Sequence, residues 1–368
     1  MRLIDRVIRL LGEKKEPMTN EDLYAAMPEY SKTGIRGVIS RYLSTTQEPA
    51  FTRTSNGVYV IIEVVKAEAT EDGKTKLSYV ATCETNGKSV MFFHKDFLTD
   101  SNVVNGIYRK ETSFEDVGAL MESTATLRGI LAHADSRDIL AKLKSESFSL
   151  ILTDPPYKVI SGGKNGKGAP KGMLSKNDGK IFDYNDISFD EYIPDCYRIL
   201  KDRSHAYFFT NFINLQPLME AVQKAGFKIH NLLAWVKNNA TPNRWYMKNG
   251  EYVLLCYKGK AKSINNCGSK TFHQFDNILG SKIHETEKPV ELLRYYIENS
   301  TQPGEWICDP FGGSGSTAVA AIISGRRCFT SEIDEKYIPK IYRRIKGLLA
   351  YGTDDRAEEP VQLAMEAI

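Results

Sequence analysis

The sequence predicts an α/β fold with a doubly wound, mostly parallel sheet, preceded by a winged-helix-like module at the N-terminus. Two patterns predict it. After about residue 125, apolar strand-like runs alternate with amphipathic helical segments, which is typical of a sheet covered by helices. Before that point, helical segments lead into a turn between β-prone runs. With 368 residues, the chain is long enough for a catalytic core and a smaller appendage.

Residues 1–62 carry the pattern of a winged helix-turn-helix. Helices are predicted at Leu3 to Leu11, from Thr19 onward and at Thr33 to Leu43, followed by an Asn56-Gly57 turn. The third helix and the wing carry basic side chains that suit the major groove of DNA, namely Lys32, Arg36, Arg41 and Arg53. A small helical interaction or dimerisation module is an equally good interpretation.

The rest of the chain divides into three predicted parts. Residues 63–124 form a small β-containing connector, residues 125–350 hold the strand and helix alternation, and the tail 351–368 is expected at the surface. Two basic loops, 158–180 and 258–283, interrupt the alternation. The lysines of the first suit DNA phosphates, with a solvated loop as the alternative, and the second adds amide side chains that can contact base edges.

Composition argues against several classes of protein. No apolar run approaches the roughly 20 residues that a membrane span needs, and the N-terminus lacks the apolar core of an export signal. The six cysteines form no CxxC pair, which argues against a zinc site or a disulfide framework and favours the cytoplasm. The net charge of +3 neither favours nor excludes a nucleic-acid partner.

The first motif with chemical content is Asp154-Pro155-Pro156-Tyr157, which follows the apolar run Phe148 to Leu152. It is expected at the carboxyl end of a strand, where open α/β sheets bind ligands. The exocyclic amine of a base is a poor nucleophile, but the Asp154 carboxylate and the Pro155 carbonyl can accept its two N–H groups. Pro156 helps to hold the backbone extended, and Tyr157 offers a ring for a flipped base. A purely structural strand-ending turn is the alternative.

The second motif is Asp309-Pro310-Phe311-Gly312-Gly313-Ser314-Gly315, between a predicted strand and a predicted helix. Its glycines let the backbone turn tightly and approach a ligand, and Thr317 is available at the helix start. Glu332 ends the next predicted strand, near the offset of roughly 20 residues at which an acidic side chain meets ribose hydroxyls. A nicotinamide or flavin enzyme is a weaker alternative, because the full G-x-G-x-x-G pattern is missing.

With both motifs, the chain resembles the amino-methyltransferases of DNA over about residues 125–350. The Asp-Pro-Pro-Tyr motif precedes the glycine motif, which is the order of the family's β-group, a circular permutation of the S-adenosylmethionine-dependent methyltransferase fold. The resemblance implies S-adenosylmethionine as cofactor and methylation of adenine N6 in a specific duplex DNA sequence by base flipping. N4-cytosine methylation is the nearest alternative, since Asp-Pro-Pro-Tyr is only the commoner form for adenine.

The resemblance also implies the residues of the site. The catalytic residues are Asp154, Pro155, Pro156 and Tyr157, and no metal is implied. The cofactor-binding residues are Asp135, Asp154, His284, Lys288, Asp309, Phe311, Gly313, Gly315, Thr317 and Glu332. Of these, His284 and Lys288 lie in a segment similar to the family's His-x-x-x-Lys-Pro signature, and Asp135 occupies the place of an acidic residue that contacts the cofactor adenine.

A further strand pair is similar to the family's W-x-K and H-E patterns, at Ala234 to Lys237 and Glu251 to Leu254. Gly250 replaces the histidine there, so no role is transferred to that position. We expect Trp235 in the core, because an aromatic side chain in an apolar strand is more often core than pocket wall.

The partners implied are duplex DNA, a second copy in a homodimer and a companion restriction endonuclease. A covalent C5-cytosine mechanism is not supported, because Pro194-Asp195-Cys196 does not supply the Pro-Cys setting of its nucleophile. From another class of protein, a DNA-binding regulator with an inert methyltransferase domain is the alternative.

Overall fold

The computed structural model describes Leu3, Val7, Leu10, Ile39 and ten segments: 20–35, 51–53, 59–69, 75–85, 88–98, 127–156, 187–241, 246–280, 282–284 and 286–356. The predictions for Tyr157, for the loop 158–180, for the Asn56-Gly57 turn and for the tail beyond residue 356 lie outside the described residues.

The helices and strands follow the predicted alternation. In chain order they are α1 (Asn20–Ala26), β1 (Phe51–Arg53), β2 (Tyr59–Ala69), β3 (Thr75–Thr85), β4 (Lys88–Leu98), β5 (Leu127–His133), α2 (Ser136–Lys142), β6 (Phe148–Thr153), α3 (Ile193–Ile199), β7 (Leu200–Thr210), α4 (Phe212–Lys224), β8 (Lys228–Thr241), β9 (Lys248–Tyr257), β10 (Phe272–Gln274), α5 (Val290–Ser300), β11 (Trp306–Asp309), α6 (Ser316–Ile323), β12 (Arg327–Glu332) and α7 (Ile338–Tyr351). A 3₁₀ turn, Phe189–Glu191, precedes α3.

The strands form one mixed sheet in the order β1-β2-β3-β4-β5-β12-β11-β6-β7-β9-β8-β10. The five central strands, β5, β12, β11, β6 and β7, pair in parallel. Antiparallel pairs extend the sheet on both sides. The prediction of a mostly parallel sheet is therefore right for the centre and wrong for the flanks, apart from the parallel pair of β8 and β10 at one edge. The alternation of residues along a strand does not encode the direction of its neighbour.

The predicted connector contributes strands to this same sheet. β2 crosses the predicted boundary at residue 62, and β4 pairs antiparallel with β5, where Phe92 lies opposite Ile130. The buried side chains of Met91 and Phe93 belong to the same core cluster as Leu131. The strands between residues 63 and 98 thus extend the central sheet through the pairing of β4 with β5. The sequence of this region did not indicate that β5 is the partner of β4.

Helices cover both faces of the sheet, as predicted for a doubly wound fold. Adjacent residues of β6 point to opposite faces, and Ile151 packs with the α2 and α3 side while Leu150 packs with the α5 to α7 side. Each fully buried side chain of this kind stabilises the fold by about 1.5–3 kcal/mol. The two clusters fix the central strands, and with them the positions of their carboxyl ends.

The N-terminal residues have a small core of their own. Val7, Leu23, Met27, Ile35 and Ile39 are buried together. A hairpin of β1 and β2 follows, with Arg53 opposite Tyr59. The assignment of these residues to a winged-helix module stays a prediction.

In the part of the chain that the structure describes, no helix is both long and apolar enough to cross a membrane.

Candidate active site

Four acidic residues lie at or just beyond the carboxyl ends of four neighbouring parallel strands, β5, β12, β11 and β6. They are Asp135, Glu332, Asp309 and Asp154. Cys308 lies opposite Ile151, and Thr153 Oγ1 donates to Asp309 Oδ1 at 2.7 Å. The strands that end near Cys308 and Thr153 therefore lie side by side, which brings the two sequence motifs together.

A cavity opens at this edge of the sheet. It is lined by Thr153, Asp154, Phe209, His284, Thr286, Glu287, Lys288, Leu293, Asp309, Phe311, Gly312, Gly313, Ser314, Ser316 and Thr317. Seven predicted site residues are among them, and they come from the residue after β6, from the segment before α5 and from the stretch between the end of β11 and the start of α6. Five others do not line it, namely Asp135, Pro155, Pro156, Gly315 and Glu332.

The glycine loop between β11 and α6 turns through two left-handed residues. Gly313 has a φ of 53° and Gly315 a φ of 78°, a region that side chains disfavour. A Cβ atom on Gly315 would lie 2.9 Å from Ile341 Cγ2. The loop therefore needs glycine at Gly315 for two reasons, backbone conformation and close packing on α7.

Glu332 holds this loop in place. Its Oε2 accepts the backbone N–H of Gly313 at 2.7 Å, and its Oε1 accepts that of Asp334 at 2.8 Å. Burial raises the pKa of Glu332, and the two backbone N–H groups oppose that rise. Glu332, which the sequence predicts to contact a ribose, thus lies beside the glycine loop and also stabilises that loop through its hydrogen bonds.

Asp309, the first residue of the glycine motif, is buried beside the end of β6. Burial raises the pKa of Asp309 to about 7, although Thr317, Thr153 and the backbone N–H of Phe311 donate hydrogen bonds to it. The Thr317 hydroxyl is therefore engaged with Asp309. The Phe311 ring packs edge-on against Tyr192, with 4.9 Å between ring centroids.

Asp135 caps helix α2. Its side chain accepts the backbone N–H of Arg137 at 2.8 Å and pairs with the Arg137 guanidinium at 2.6 Å. The next residue, Ser136, donates from its hydroxyl to the Pro310 carbonyl at 2.5 Å. This places Asp135 beside the start of the glycine motif but outside the cavity wall, and its predicted contact with the cofactor stays a prediction.

Asp154 lies at the end of a row of four alternating charges. Asp154 Oδ2 contacts the Lys288 ammonium, which also lies 3.3 Å from Glu251 Oε2. Glu251 Oε1 in turn pairs with Lys237 at 2.5 Å. Asp154 Oδ1 is buried and has no hydrogen-bond partner among the described residues. A buried acceptor without a partner costs about 1–3 kcal/mol, so a donor group of a ligand would be stabilised there.

The row of charges changes the protonation of its members. Burial raises the pKa of Asp154, and the Lys288 ammonium opposes that rise. Burial would also raise the pKa of Glu251, but Lys288 and Lys237 lower it to about 2. Burial lowers the pKa of Lys288, but Asp154 and Glu251 raise it by more, so the pKa of Lys288 lies above its ordinary value. Lys288 is therefore positively charged at neutral pH in the cavity wall.

Sequence reasoning noticed the strand pair that carries Lys237 and Glu251 but assigned neither residue to the site. The signal was a charged residue directly beside an apolar run on each strand, Lys237 after the run 232–236 on β8 and Glu251 before the run 252–256 on β9. Their pairing is a consequence of the β8–β9 register, in which Trp235 lies opposite Glu251. Trp235 itself is 1% exposed and donates from Nε1 to the Phe275 carbonyl, which confirms its prediction as a core residue.

His284 forms another part of the wall. Its ring lies 4.3 Å from the Tyr337 ring, and a Cβ atom on Gly313 would be 3.7 Å away. Burial lowers the pKa of His284 to about 4, so the ring is neutral at pH 7. It therefore offers the cavity a neutral surface beside the glycine loop.

Glu287 anchors the segment between His284 and Lys288, a role that the sequence did not reveal. It is 3% exposed and pairs with Arg344 at 3.3 Å and with Arg356 at 2.7 Å. Its other oxygen accepts the backbone N–H of Ile283 at 2.7 Å. The buried charges fix the segment that carries the cavity's cation.

A family model described as DNA methylase, for N6 and N4 methyltransferases, matches residues 148–343. The chain belongs to the DNA methylase family. The match covers more than half of the methylase, from the start of β6 into α7, and includes both motifs and the cavity. The predicted resemblance to the amino-methyltransferases of DNA is confirmed, and with it an enzyme that methylates DNA.

Relatives agree with this assignment. The methylase is 30% identical over 239 residues to the Type II methyltransferase M2.DpnII of Streptococcus pneumoniae, covering 59% of this chain and 89% of the relative. It is 30% identical over 250 residues to the Type II methyltransferase M2.LlaDCHI of Lactococcus lactis subsp. cremoris, covering 61% and 91%. A crystal structure of an M1.HpyAVI-SAM complex is similar with a TM-score of 0.45 and 23% identity, over 58% of this chain and 98% of that one.

Proposed function

We propose that this methylase transfers a methyl group from S-adenosylmethionine to the N6 amino group of adenine in a specific duplex DNA sequence. One observation carries the proposal. Asp154, with a buried carboxylate oxygen that has no partner among the described residues, lies in the same cavity as the glycine loop. An acceptor for an amine and a cradle for a methyl donor therefore share one space.

The residues at the cavity fit S-adenosylmethionine. The left-handed glycines keep side chains out of the loop, which lets a ligand approach its backbone. Glu332, which lies beside the glycine loop and outside the cavity lining, would meet the ribose, and Asp309 and Phe311 would form the cavity wall. His284 and Lys288 would face the methionine end. The cofactor, when bound, supplies an electrophilic methyl group on a positively charged sulfur.

The chain's own residues prepare the amine. Asp154 Oδ1 accepts one N–H of the adenine amine and the Pro155 carbonyl accepts the other, so the nitrogen lone pair is withdrawn from the ring and aimed at the donor. Tyr157 stacks on the extruded base. The methylated nitrogen then loses its extra proton to solvent, since a positively charged aniline-like nitrogen is a strong acid.

Recognition of DNA is proposed for the basic loops and the N-terminal residues. The loops 158–180 and 258–283 border the site in sequence and carry lysines suited to phosphates. The buried helical cluster and the hairpin β1–β2 support a winged-helix module. We also propose a homodimer, a location in the cytoplasm and a companion endonuclease, the last supported by the relatives named Type II methyltransferases.

Nucleoside mass spectrometry tests the proposal. Unmethylated DNA is incubated with the purified protein and S-adenosylmethionine, then digested and analysed, with Asp154→Ala in parallel. N6-methyladenine that is lost in the variant is the expected result. N4-methylcytosine would keep the site and overturn the choice of base. Unmodified DNA from a wild-type protein that binds S-adenosylmethionine would overturn the activity and favour an inert domain in a DNA-binding regulator.

A further inference from the structure

The ammonium of Lys288 lies between two carboxylates. It contacts Asp154 on one side and lies 3.3 Å from Glu251 on the other, and its side chain is 6% exposed. It also donates to the Thr286 carbonyl at 3.0 Å and lies 5.1 Å from the centre of the Phe209 ring. These contacts keep Lys288 between the two acids. A change in either acid therefore changes how strongly Lys288 attracts the other acid.

Glu251 has a second cation of its own. Lys237 pairs with it at 2.5 Å and lies 4.5 Å from the centre of the Trp235 ring, which is buried. The side chains of Lys237 and Glu251 are 18% and 25% exposed, so water screens the pair only in part. Glu251 therefore divides its attraction between Lys237 and Lys288.

We propose that Glu251 and Lys237 are positioning residues for methyl transfer: Glu251 shares the Lys288 ammonium with Asp154, and Lys237 limits the share that Glu251 takes. The inference rests on the proposed role of Asp154. If Lys288 were bound to Asp154 alone, its whole positive charge would draw electron density from the carboxylate and weaken Oδ1 as the acceptor for the amine. If Lys288 were bound to Glu251 alone, Asp154 would be buried without a counter-charge and would take up a proton more readily.

Other ionisable groups also face this row. They are Tyr192 and Asp309 near Asp154, and Lys282 and His284 near Lys288. The variants below leave all of them in place, so a difference between variants reports on Glu251 and Lys237.

The two positioning residues have opposite effects on the acid limb of the pH profile of kcat/KM for methyl transfer. Glu251→Gln gives Lys288 wholly to Asp154 and moves the limb to lower pH, by about one unit. Lys237→Met strengthens the hold of Glu251 on Lys288 and moves the limb to higher pH. Lys237→Arg keeps the charge and restores the wild-type limb. Circular dichroism checks that each variant is folded.

Glu298→Gln is the matched control, because Glu298 pairs with Arg294 on the exposed face of α5. It should leave the profile unchanged. Two results would overturn the inference while the wild type still methylates DNA. In one, the variants lose activity but their acid limbs stay at the wild-type pH. In the other, the acid limbs of Glu251→Gln and Lys237→Met move in the same direction. A shift by Glu251→Gln that persists unchanged in a Lys288→Met background would also overturn it, since Glu251 would then act without Lys288. A wild type that transfers no methyl group would remove the proposed function and this inference together.

Discussion

The backbone N–H of Gly313 donates to Glu332 Oε2 at 2.7 Å, which ties the glycine loop after β11 to the end of β12. Because Glu332 Oε1 accepts a second backbone N–H, from Asp334, both carboxylate oxygens are engaged. The conformation of the loop therefore depends on a residue from the neighbouring strand. The same carboxylate that we propose for the cofactor ribose also builds the cradle.

Glu332→Gln tests this dual role. The amide places an NH₂ group against one of two backbone N–H donors, so one hydrogen bond is lost to repulsion. We expect the free energy of unfolding to fall by about 1–3 kcal/mol and the Kd for S-adenosylmethionine to rise at least about tenfold. Urea denaturation and calorimetric titration measure the two effects. The exposed Glu335→Gln is the control, and equal behaviour of the two variants would argue against the role of Glu332.

Gly315→Ala should destabilise the protein more than Gly304→Ala. Both glycines have a left-handed φ, 78° and 82°, which costs an alanine roughly 1–2 kcal/mol. Only at Gly315 would the new Cβ atom meet a neighbour, Ile341 at 2.9 Å, whereas nothing lies within 4 Å at Gly304. Urea unfolding of both variants measures the difference. An equal loss of stability would show that the close approach to α7 is not a constraint.

Asp309 should make the stability of the protein fall as the pH rises. In the folded protein, burial raises its pKa to about 7, while in the unfolded chain the carboxyl loses its proton near its ordinary value of 3.8. Between these values the folded state binds more protons, so the contribution of Asp309 to stability is present at low pH and is lost as the pH rises to about 7. Asp309→Asn should remove this dependence.

Urea unfolding at pH 5 and pH 8 measures it. We expect the free energy of unfolding to fall more from pH 5 to pH 8 in the wild type than in Asp309→Asn. The comparison between the two proteins cancels groups that titrate in both. The same change with pH in both proteins would contradict the raised pKa of Asp309.

Glu287→Gln should be among the most destabilising single changes in the site. The change removes the negative charge of Glu287 from beside two arginines, Arg356 and the fully buried Arg344. Breaking a buried ion pair costs about 3–5 kcal/mol, whereas an exposed pair such as that of Glu298 contributes about 0–1 kcal/mol. Thermal and urea unfolding of Glu287→Gln and Glu298→Gln measure the contrast. Similar losses would mean that the buried network does not anchor the segment.

The sequence was a good guide where the signal is local. The strands Phe148–Thr153 and Arg327–Glu332 lie where their apolar runs predict them, and Asp154 and Asp309 follow from motifs at strand ends. The antiparallel flanks were missed, because a strand's residue pattern records its buried face and not its neighbour. The contacts of Glu287 were missed for a similar reason, since Arg344 and Arg356 are 57 and 69 positions away along the chain.

We propose that the Asp154 carboxylate prepares the amine in the cavity beside the glycine loop. Single-turnover methyl transfer to unmethylated DNA, at saturating S-adenosylmethionine and DNA, tests it most directly because binding does not limit the rate. Asp154→Ala is compared with Asp190→Ala, which removes an exposed partner of Lys224. We expect a rate about a hundredfold or more below wild type for Asp154→Ala and a wild-type rate for Asp190→Ala. A wild-type rate for Asp154→Ala would contradict it.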